Sequence, residues 1–322
     1  MRMLYAADVH GDLEALERFR DFSKDRAIDI VVAAGDLIAP IFRGEDAEKF
    51  RACSDLILEG VRQNKAQVTF EQMAQHIAQH PEAPDEARQL AESYLRFTER
   101  ARKNVQEQYG FIKEIFDSFG KPVLTIPGNW DTTTIDNVLV NENLHPSDWN
   151  NPSKREINGV SFGGFGASPE YMLGLLPQEL EIPYSDEVAY HILTGLAPDI
   201  AITHQPVYGL CDVEDQKQKH IGSPFLALYL AESTPDLFLV GHMHRPSIDQ
   251  KHGVVVINPG NLGRYYPDPR KEKHSDFGTF IEFGVDGKNY FTGAELFKIA
   301  DLEKRRIEKL GEVKPEDIGL KR

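Results

Sequence analysis

The chain has 322 residues, of which 41% are hydrophobic, and this is enough to form the core of one large domain or two. The net charge of −15 argues against binding of duplex nucleic acid, which usually requires a basic surface. Apolar runs stay well below the roughly 18–20 residues of a membrane span, so no membrane association is expected. The N-terminus leads directly into a predicted strand, which leaves no room for a signal peptide. Because Cys53 and Cys211 imply no disulfide framework, a reducing cytoplasm is the simplest setting.

Six short apolar runs along the chain predict buried β-strands. They comprise residues 4–7, 30–34, 123–126, 200–203, 237–240 and 254–257. Continuous apolar runs of this kind are typical of strands that are covered on both faces. In open α/β sheets, ligands bind beyond the carboxyl ends of such strands. The residues that follow each run are therefore candidates for a functional site.

A polar motif follows each of these runs. In chain order the motifs are Asp8-Val9-His10, Gly35-Asp36, Gly128-Asn129-Trp130-Asp131, His204, Gly241-His242-Met243-His244 and Asn258-Pro259-Gly260. The first five supply Asp, Asn and His, which are ligand types of a divalent-metal site. The seven candidate ligands are Asp8, His10, Asp36, Asn129, His204, His242 and His244. One metal rarely takes seven mixed ligands, whereas two metals about 3.5–4 Å apart with one bridging carboxylate would use them all.

This ordered set resembles the motifs of calcineurin-like metallophosphoesterases, which are D-x-H, G-D, G-N-H-D, H and G-H-x-H. The resemblance runs from Met1 to roughly Asp286 and is interrupted by one insertion. It implies an α/β fold of two packed mixed β-sheets flanked by helices, a four-layer α-β-β-α sandwich with a helical insertion. The ligands that it implies for one metal ion are Asp8, His10, Asp36 and His244, and those for the other are Asp36, Asn129, His204 and His242. Asp36 would bridge the two ions, for which Mn²⁺, Fe and Zn²⁺ are candidates.

The same resemblance implies hydrolysis of a small phosphoester substrate by a hydroxide that bridges the two metals, with a phosphodiester favoured. Two other functions are open. The fold could be retained as a binding or scaffold module with little turnover, or the protein could be a nuclease that acts on single strands. The acidic balance weighs against the nuclease. Scattered core histidines and loop aspartates are the structural alternative, and the ordered set at strand ends argues against it.

One position departs from the family pattern, because Trp130 stands where the family has His. That His is understood to act as a general acid toward the leaving group or to stabilise the transition state. The indole N–H does not titrate, and loss of a general acid typically costs a factor of roughly 10²–10⁴. The substrate could have a good leaving group, another residue could replace the His, or turnover could be absent. Trp130 itself could stack on the substrate or pack beside the metals. Asn129 would also orient the phosphate, and Asp131 would hold a ligand or a water.

A candidate replacement for the missing His lies downstream, in His220-Ile221-Gly222-Ser223-Pro224. The apolar run that follows predicts a helix, for which Ser223 suits the N-cap and Pro224 suits the first position. A helix N-terminus can hold an anion, so Ser223 is a candidate for substrate binding. The segment from His204 onward resembles a bacterial and archaeal branch of the family, in which His220 would approach the metals as an outer contact of a ligand or as a proton donor. An ordinary capped helix with a surface His is equally open.

About 85 residues separate Asp36 from the strand at 123–126, and much of this segment is predicted to be helical. Amphipathic spacing predicts helices at 46–65 and 85–119, and Thr69 with Gln72 matches a capping box that opens a helix between them. A helix of up to about 35 residues spans roughly 50 Å, so its far end should project. We assign residues 43–118 to the insertion. It could be a decorative helical hairpin, a cap over the metals or the arm of a homodimer.

The remaining segments predict two hairpins and a helix. Residues 155–157 and 160–162 flank Asn158-Gly159, a turn typical of β-hairpins. Residues 279–283 pair with 289–291 across a five-residue loop, in a second sheet. Residues 299–310 predict a charged C-terminal helix, followed by a loose tail. The expected organisation is a catalytic domain over 1–295, interrupted by 43–118, and a C-terminal helix and tail over 296–322.

Overall fold

The computed structural model describes residues 1–64, 68–146, 148–169, 176–214, 219–233, 235–264, 278–286, 291–301, 303 and 305–320. Two six-stranded sheets dominate the fold. The first sheet contains, in spatial order, β14 (Arg306–Val313), β13 (Phe291–Asp301), β12 (Thr279–Val285), β1 (Arg2–Ala6), β2 (Ile30–Ala34) and β3 (Val123–Ile126). The second contains β10 (Ser247–Lys251), β11 (Val254–Asn258), β9 (Leu237–Val240), β6 (Ile200–Thr203), β5 (Val160–Phe165) and β4 (Arg155–Ile157). A separate ribbon pairs β7 (Val213–Glu214) with β8 (Lys219–His220).

Seven α-helices accompany the sheets in the described part of the chain. They are α1 (Leu13–Lys24), α2 (Glu45–Asn64), α3 (Phe70–Gln79), α4 (Asp85–Asp117), α5 (Ile135–Val138), α6 (Asp186–Leu196) and α7 (Pro224–Ser233). Short 3₁₀ turns occur at Gln178–Leu180 and Pro315–Ile318. Within the same residues, no helix combines the length and the apolar content that crossing a membrane requires.

The six predicted strands are all present, as β1, β2, β3, β6, β9 and β11. In the first sheet β1, β2 and β3 are parallel, and in the second sheet β5, β6, β9 and β11 are parallel. Because the carboxyl ends of parallel strands lie at the same edge, each sheet gathers its polar motifs at one edge. The β4–β5 hairpin is confirmed, and both turn residues, Asn158 and Gly159, have positive φ angles as a tight turn requires.

Alternate residues of the strands face different layers, which makes the fold a four-layer sandwich. In β1, Leu4 faces α1 and α4, whereas Tyr5 faces the second sheet. On the far side of the second sheet, residues such as Phe238 pack against α6 and α7. The predicted fold class, two mixed sheets flanked by helices, is confirmed. Every central strand is buried on both faces, which is why its sequence is continuously apolar.

The insertion consists of α2, α3 and α4, and α4 has 33 residues. The predicted capping box is confirmed, since Thr69 Oγ1 accepts from the Gln72 N–H and Gln72 Oε1 accepts from the Thr69 N–H. The C-terminal half of α4 packs on the first sheet through residues such as Ile112. Its N-terminal half shares a separate apolar core with α2 and α3, which includes Phe50 and Tyr94. The insertion is therefore a helical unit with its own core, and its bounds of 43–118 remain a prediction.

Two predictions for the C-terminal region are wrong. Residues 299–301 belong to β13 and residues 306–310 belong to β14 rather than to a helix, because β14 supplies the hydrogen-bonding partner that the free edge of β13 needs. The hairpin of β12 and β13 also belongs to the first sheet, since Ile281 pairs with Tyr5 of β1. Within the predicted 289–291 strand, 289 and 290 lie outside the described residues.

Candidate metal centre

All seven candidate ligands follow strand ends and lie close together, although they come from both sheets. Asp8, His10, Asp36 and Asn129 follow strands of the first sheet, and the three remaining histidines follow β6 and β9 of the second. The backbone N–H of His242 donates to Asp8 Oδ2 across the two sheets at 3.1 Å. The face-to-face packing thus brings two strand-end edges together at one site.

The distances separate the ligands into two overlapping groups. In the first group His10 Nε2 lies 3.3 Å from His244 Nε2, and His244 Nε2 lies 3.4 Å from Asp8 Oδ1. Asp36 Oδ2 lies between the groups, 3.9 Å from His10 Nε2 and 3.5 Å from His204 Nε2.

In the second group Asn129 Oδ1 is 3.1 Å from His204 Nε2 and 3.0 Å from His242 Nδ1. Two clusters of three side chains could each hold a metal ion, and Asp8 belongs to both. One consists of Asp8, His10 and His244, and the other consists of Asp8, Asp36 and His204. The position of Asp36 between the groups is the one that a bridging carboxylate would take.

The backbone of the ligand loops is strained. Asp8, His10, Asp36 and His242 have φ angles of 54°, 48°, 51° and 68°, in the left-handed region that non-glycine residues seldom occupy. Gly128 is required for a steric reason, because a Cβ there would lie 2.2 Å from Asp36 Oδ1. Strained residues of this kind persist where the surrounding structure holds them for a function.

The charges at the site suit a cation. Burial alone would raise the pKa of Asp36, but His204 and further hydrogen bonds hold it well below its usual range. Burial lowers the pKa of His204, and the Asp36 carboxylate outweighs this effect and raises it to about 10. Burial lowers the pKa of His10 to about 4, so its imidazole is neutral near pH 7. Asp36 and His10 thus have the forms that bind metals, ionised carboxylate and neutral imidazole, whereas a metal ion would have to displace the proton that Asp36 holds on His204.

Two further observations test whether the residues fit a metal. Asp8 Oδ1 is buried and, within the described residues, accepts no hydrogen bond. His204 Nδ1 lies 2.9 Å from Ala34 O, which fixes Nδ1 as the protonated nitrogen and aims Nε2 at the candidate site. A backbone carbonyl in this role is the usual outer contact of a metal-binding His. The donor set therefore fits a divalent metal.

The structure places Asp131 beneath the ligand loops. Its carboxylate accepts from the Leu37 N–H at 3.1 Å and from the Gly128 N–H at 2.7 Å. It also accepts from Tyr109 Oη at 2.9 Å, which is contributed by helix α4 of the insertion. Burial and the neighbouring Asp36 charge raise the pKa of Asp131 to about 6. Asp131 thus holds the backbone beside two candidate ligands, Asp36 and Asn129.

Trp130 and Ser223 differ in how far they are available to a substrate. Trp130 is half-buried, and its backbone N–H donates to Asp36 Oδ1 at 2.8 Å. Ser223 is buried and confirmed as the cap of α7, because its Oγ accepts from the Leu226 N–H. The backbone N–H of Ser223 donates to Pro206 O. The Ser223 hydroxyl and backbone N–H both form hydrogen bonds within the protein, and contact of Ser223 with a substrate remains a prediction.

His220 lies on β8 and is held by a buried carboxylate. Its Nδ1 is 2.7 Å from Asp212 Oδ1, while the His220 side chain is 44% exposed and that of Asp212 only 1%. Asp212 also accepts from the N–H groups of Gly209 and Gly222, which anchor the surrounding loop. No hydrogen bond joins His220 to the candidate metal ligands within the described residues.

The sequence does not single out Tyr109 or Asp212, for different reasons. Tyr109 matched the apolar spacing of a helix, so its hydroxyl contact with Asp131 gave no signal. Asp212 lies between His204 and His220 in the sequence, and an acidic residue near a candidate proton donor could have been singled out.

A model of the calcineurin-like phosphoesterase superfamily domain matches residues 105–277. One solved structure is 14% identical, covering 96% of this chain and 99% of that chain, with a TM-score of 0.56. The protein TT1561 of Thermus thermophilus is 16% identical, covering 96% of this chain and 97% of that chain, with a TM-score of 0.49. A novel archaeal phosphodiesterase is 12% identical, covering 96% of this chain and 99% of that chain, with a TM-score of 0.36. No curated protein matches the chain.

The family match covers more than half of the chain and contains four of the candidate ligands, Asn129, His204, His242 and His244. The structural likeness at 14% identity shows the fold alone, and that fold is the same two-sheet sandwich. The chain therefore belongs to the calcineurin-like phosphoesterase superfamily and is a metal-dependent phosphoesterase.

Proposed function

We propose that this protein hydrolyses a phosphodiester at a centre of two divalent metal ions. Asp8, His10, Asp36 and His244 would hold one ion, and Asp36, Asn129, His204 and His242 would hold the other. The observation that carries the proposal is the convergence of these side chains around Asp36, within 3.9 Å of both His10 and His204. Mn²⁺, Fe and Zn²⁺ all accept such a mixed set of ligands.

Metal ions bound there would make hydroxide available near neutral pH and would offset the charge of the phosphoryl oxygens. The protein's own residues fix the geometry. Asn129 presents its amide toward both His204 and His242, and it would also orient the phosphate. Asp131, which accepts from Tyr109, bonds to the backbone of both the Asn129 loop and the Asp36 loop. Both residues would therefore act as positioning residues.

His220 is the proposed proton donor to the leaving group, in place of the histidine that Trp130 replaces. Asp212 supports this role, because it accepts from His220 Nδ1 and leaves Nε2 as the second nitrogen of a side chain that is 44% exposed. A buried carboxylate that orients an exposed imidazole is a recurring arrangement in acid–base catalysis. Trp130, which is half-buried beside Asp36, would contact the substrate next to the phosphate.

A screen of metal ions against phosphoesters tests the proposal. The protein is reconstituted with Mn²⁺, Fe²⁺ or Zn²⁺ and assayed on an aryl phosphodiester, an aryl monoester and an alkyl monoester, with Asp36→Asn as the blank. Metal-dependent turnover that is fastest on the aryl diester is expected. Binding of two metal ions with no turnover of any ester would instead favour the scaffold function.

A homodimer through the insertion is a separate proposal. The long α4 helix and the independent core of α2–α4 support it. Replacing residues 66–104 with a short linker should lower the molar mass in solution from that of a dimer to that of a monomer. An unaltered monomer before and after the deletion would contradict it.

A further inference from the structure

A cavity of about 330 Å³ opens beside the Asn129 side of the candidate metal centre. The residues that line it include Asn129, Asp131, Ser168, Gln178, Glu181 and Tyr184. This volume lies at the lower end of the range of small-molecule sites, about 300–1,000 Å³. The cavity therefore has room for an organic group attached to a phosphate at the metals.

The polar groups of the cavity select against a second phosphate. Within the described residues, no lysine or arginine lines it. Glu181 is half-buried, and its carboxylate has no hydrogen-bond or ion-pair partner among the described residues. Burial and the neighbouring Glu179 raise the pKa of Glu181. A carboxylate that lacks a partner attracts hydroxyl donors and repels anionic groups.

The other walls suit a ring. Tyr184 directs its hydroxyl to Asp186 at 2.7 Å, so the residue offers the cavity mainly its ring, which packs 5.8 Å from the ring of Phe165. The Ser168 hydroxyl donates to Gln205 Oε1 at 2.8 Å, beside the candidate ligand His204. Apolar walls with a few fixed polar groups are typical of sites for uncharged organic ligands.

The helical insertion builds one wall of the cavity. Gln178 Oε1 accepts from the Phe70 N–H at 3.3 Å, at the start of α3. Glu179 Oε1 accepts from the Glu71 N–H at 2.5 Å, and Glu179 Oε2 accepts from Tyr94 Oη at 3.1 Å. Leu180 lies in the core of the insertion. The wall that carries Glu181 is thus attached to α3 and α4.

We propose that this cavity binds the non-phosphate part of the substrate, a neutral ring that carries hydroxyl groups, and that the insertion sets its specificity by holding the 178–181 wall. The proposal rests on the proposed function for the position of the phosphate. Glu181 accepts from the hydroxyl groups of the ring, and Tyr184 provides an apolar face. A second phosphate on the ring is disfavoured by the Glu181 charge.

The test uses three diesters with the same 4-nitrophenol leaving group. The other ester group is methyl, thymidine linked through its 5′ oxygen, or the same thymidine carrying a 3′-phosphate. Glu181→Gln should lower the ratio of kcat/KM for the thymidine ester to that for the methyl ester by roughly fivefold, since a charged acceptor is lost. The ratio for the 3′-phosphate ester should rise by roughly twofold or more. General damage to the enzyme cannot move the two ratios in opposite directions.

Glu179→Ala tests the link to the insertion, because Glu179 does not line the cavity yet anchors its wall. It should lower the thymidine ratio to a similar extent. Glu187→Ala is the matched control, since Glu187 is 68% exposed on α6. Binding of free thymidine and of methyl glucoside is measured by calorimetry, which needs no turnover and shows whether the ring of a nucleoside or of a sugar fits better.

The outcomes separate the two proposals. If the methyl ester is hydrolysed but Glu181→Gln leaves both ratios unchanged, the cavity proposal is overturned while the proposed function stands. If no ester is hydrolysed but Glu181→Gln weakens binding of a free ring compound severalfold, the cavity proposal stands and the proposed function fails. Absence of ring binding to the wild-type protein, together with unchanged ratios, would also overturn the cavity proposal.

Discussion

The strand-end loops and the helical insertion solve different physical problems within one chain. In the loops, Asp8, His10, Asp36 and His242 adopt left-handed backbone conformations, and the buried Asp36 carboxylate faces His204. In the insertion, amphipathic helices bury generic apolar side chains around Phe50. The strained loops lower the stability of the fold and position the candidate ligands, whereas apolar packing stabilises the insertion. Substitutions in the two regions should therefore affect different measurements.

The largest effect is expected from Asp36→Asn. Asp36 lies between the two ligand groups, and its replacement removes the charge that both metals would share. Turnover should fall by more than the roughly 10–100-fold that loss of an outer contact of a metal ligand causes. Steady-state kinetics on an aryl phosphodiester measures this. Asp85→Asn, at an 82% exposed position on α4, is the matched control and should keep wild-type turnover.

Phe50→Ala is expected to lower the stability of the insertion and to leave metal binding unchanged. Phe50 is fully buried in the insertion core, so its truncation should cost about 3–5 kcal/mol of free energy of unfolding for that unit. Hydrogen exchange should rise in α2 and α3, while metal content stays unchanged. Phe19→Ala, in the core between the first sheet and its helices, is the comparison. This substitution should also raise hydrogen exchange in β1 and β2. Identical exchange patterns for the two variants would contradict an independent insertion core.

The two regions also differ in how far their structure follows from the sequence. Each ligand follows a continuous apolar run, so the strands and the site could be predicted together. The insertion helices were predicted from their spacing, and the Thr69–Gln72 cap was confirmed. Contacts between the two regions were not predicted. Tyr109 and Asp131 lie 22 residues apart, and no local pattern indicates that a helix of the insertion contacts the metal loops.

The C-terminal hairpin shows the limit of local patterns more clearly. Ile299, Ile307 and Leu310 are separated by mostly charged residues, and this spacing fits a helix or a strand. Irregular registers between Leu296 and Phe297 and between Ile299 and Asp301 interrupt the simple alternation of β13. The first sheet decides the outcome, because pairing with β12 satisfies the backbone of β13.

A smaller effect on catalysis is expected from His220→Ala. If His220 donates the proton, turnover of esters with poor leaving groups should fall roughly tenfold, and turnover of 4-nitrophenyl esters should fall less. Asp212→Asn should shift the leaving-group dependence in the same direction, because it disturbs the orientation of the His220 ring. His191→Ala, at a 68% exposed position on α6, is the control. An unchanged rate in His220→Ala with metals still bound would remove His220 from the mechanism.

Trp130→His distinguishes three explanations for the tryptophan at this position. If His220 supplies the proton, the substitution should change turnover little. If the site lacks an acid, turnover of poor leaving groups should rise, by less than the roughly 10²–10⁴ of an established general acid. A weaker substrate affinity would instead indicate that Trp130 stacks on the substrate.

The smallest effect is expected at the surface of the insertion. Arg102 Nη2 lies 2.6 Å from Glu71 Oε2, and both side chains are partly exposed, at 45% and 27%. Exposed ion pairs contribute at most about 1 kcal/mol, so Arg102→Gln should shift the midpoint of thermal unfolding only slightly. A loss as large as that of Phe50→Ala would mean that charge rather than packing stabilises the insertion.

The central claim, a two-metal centre built on Asp36, is tested most directly by counting the metal ions bound per chain. The protein is reconstituted with Mn²⁺ or Zn²⁺, dialysed and analysed for metal content beside His10→Ala and His242→Ala. Two ions per chain in the wild-type protein and one in each variant are predicted, because each histidine belongs to a different ligand group. A single ion per chain that persists in both variants would contradict the claim.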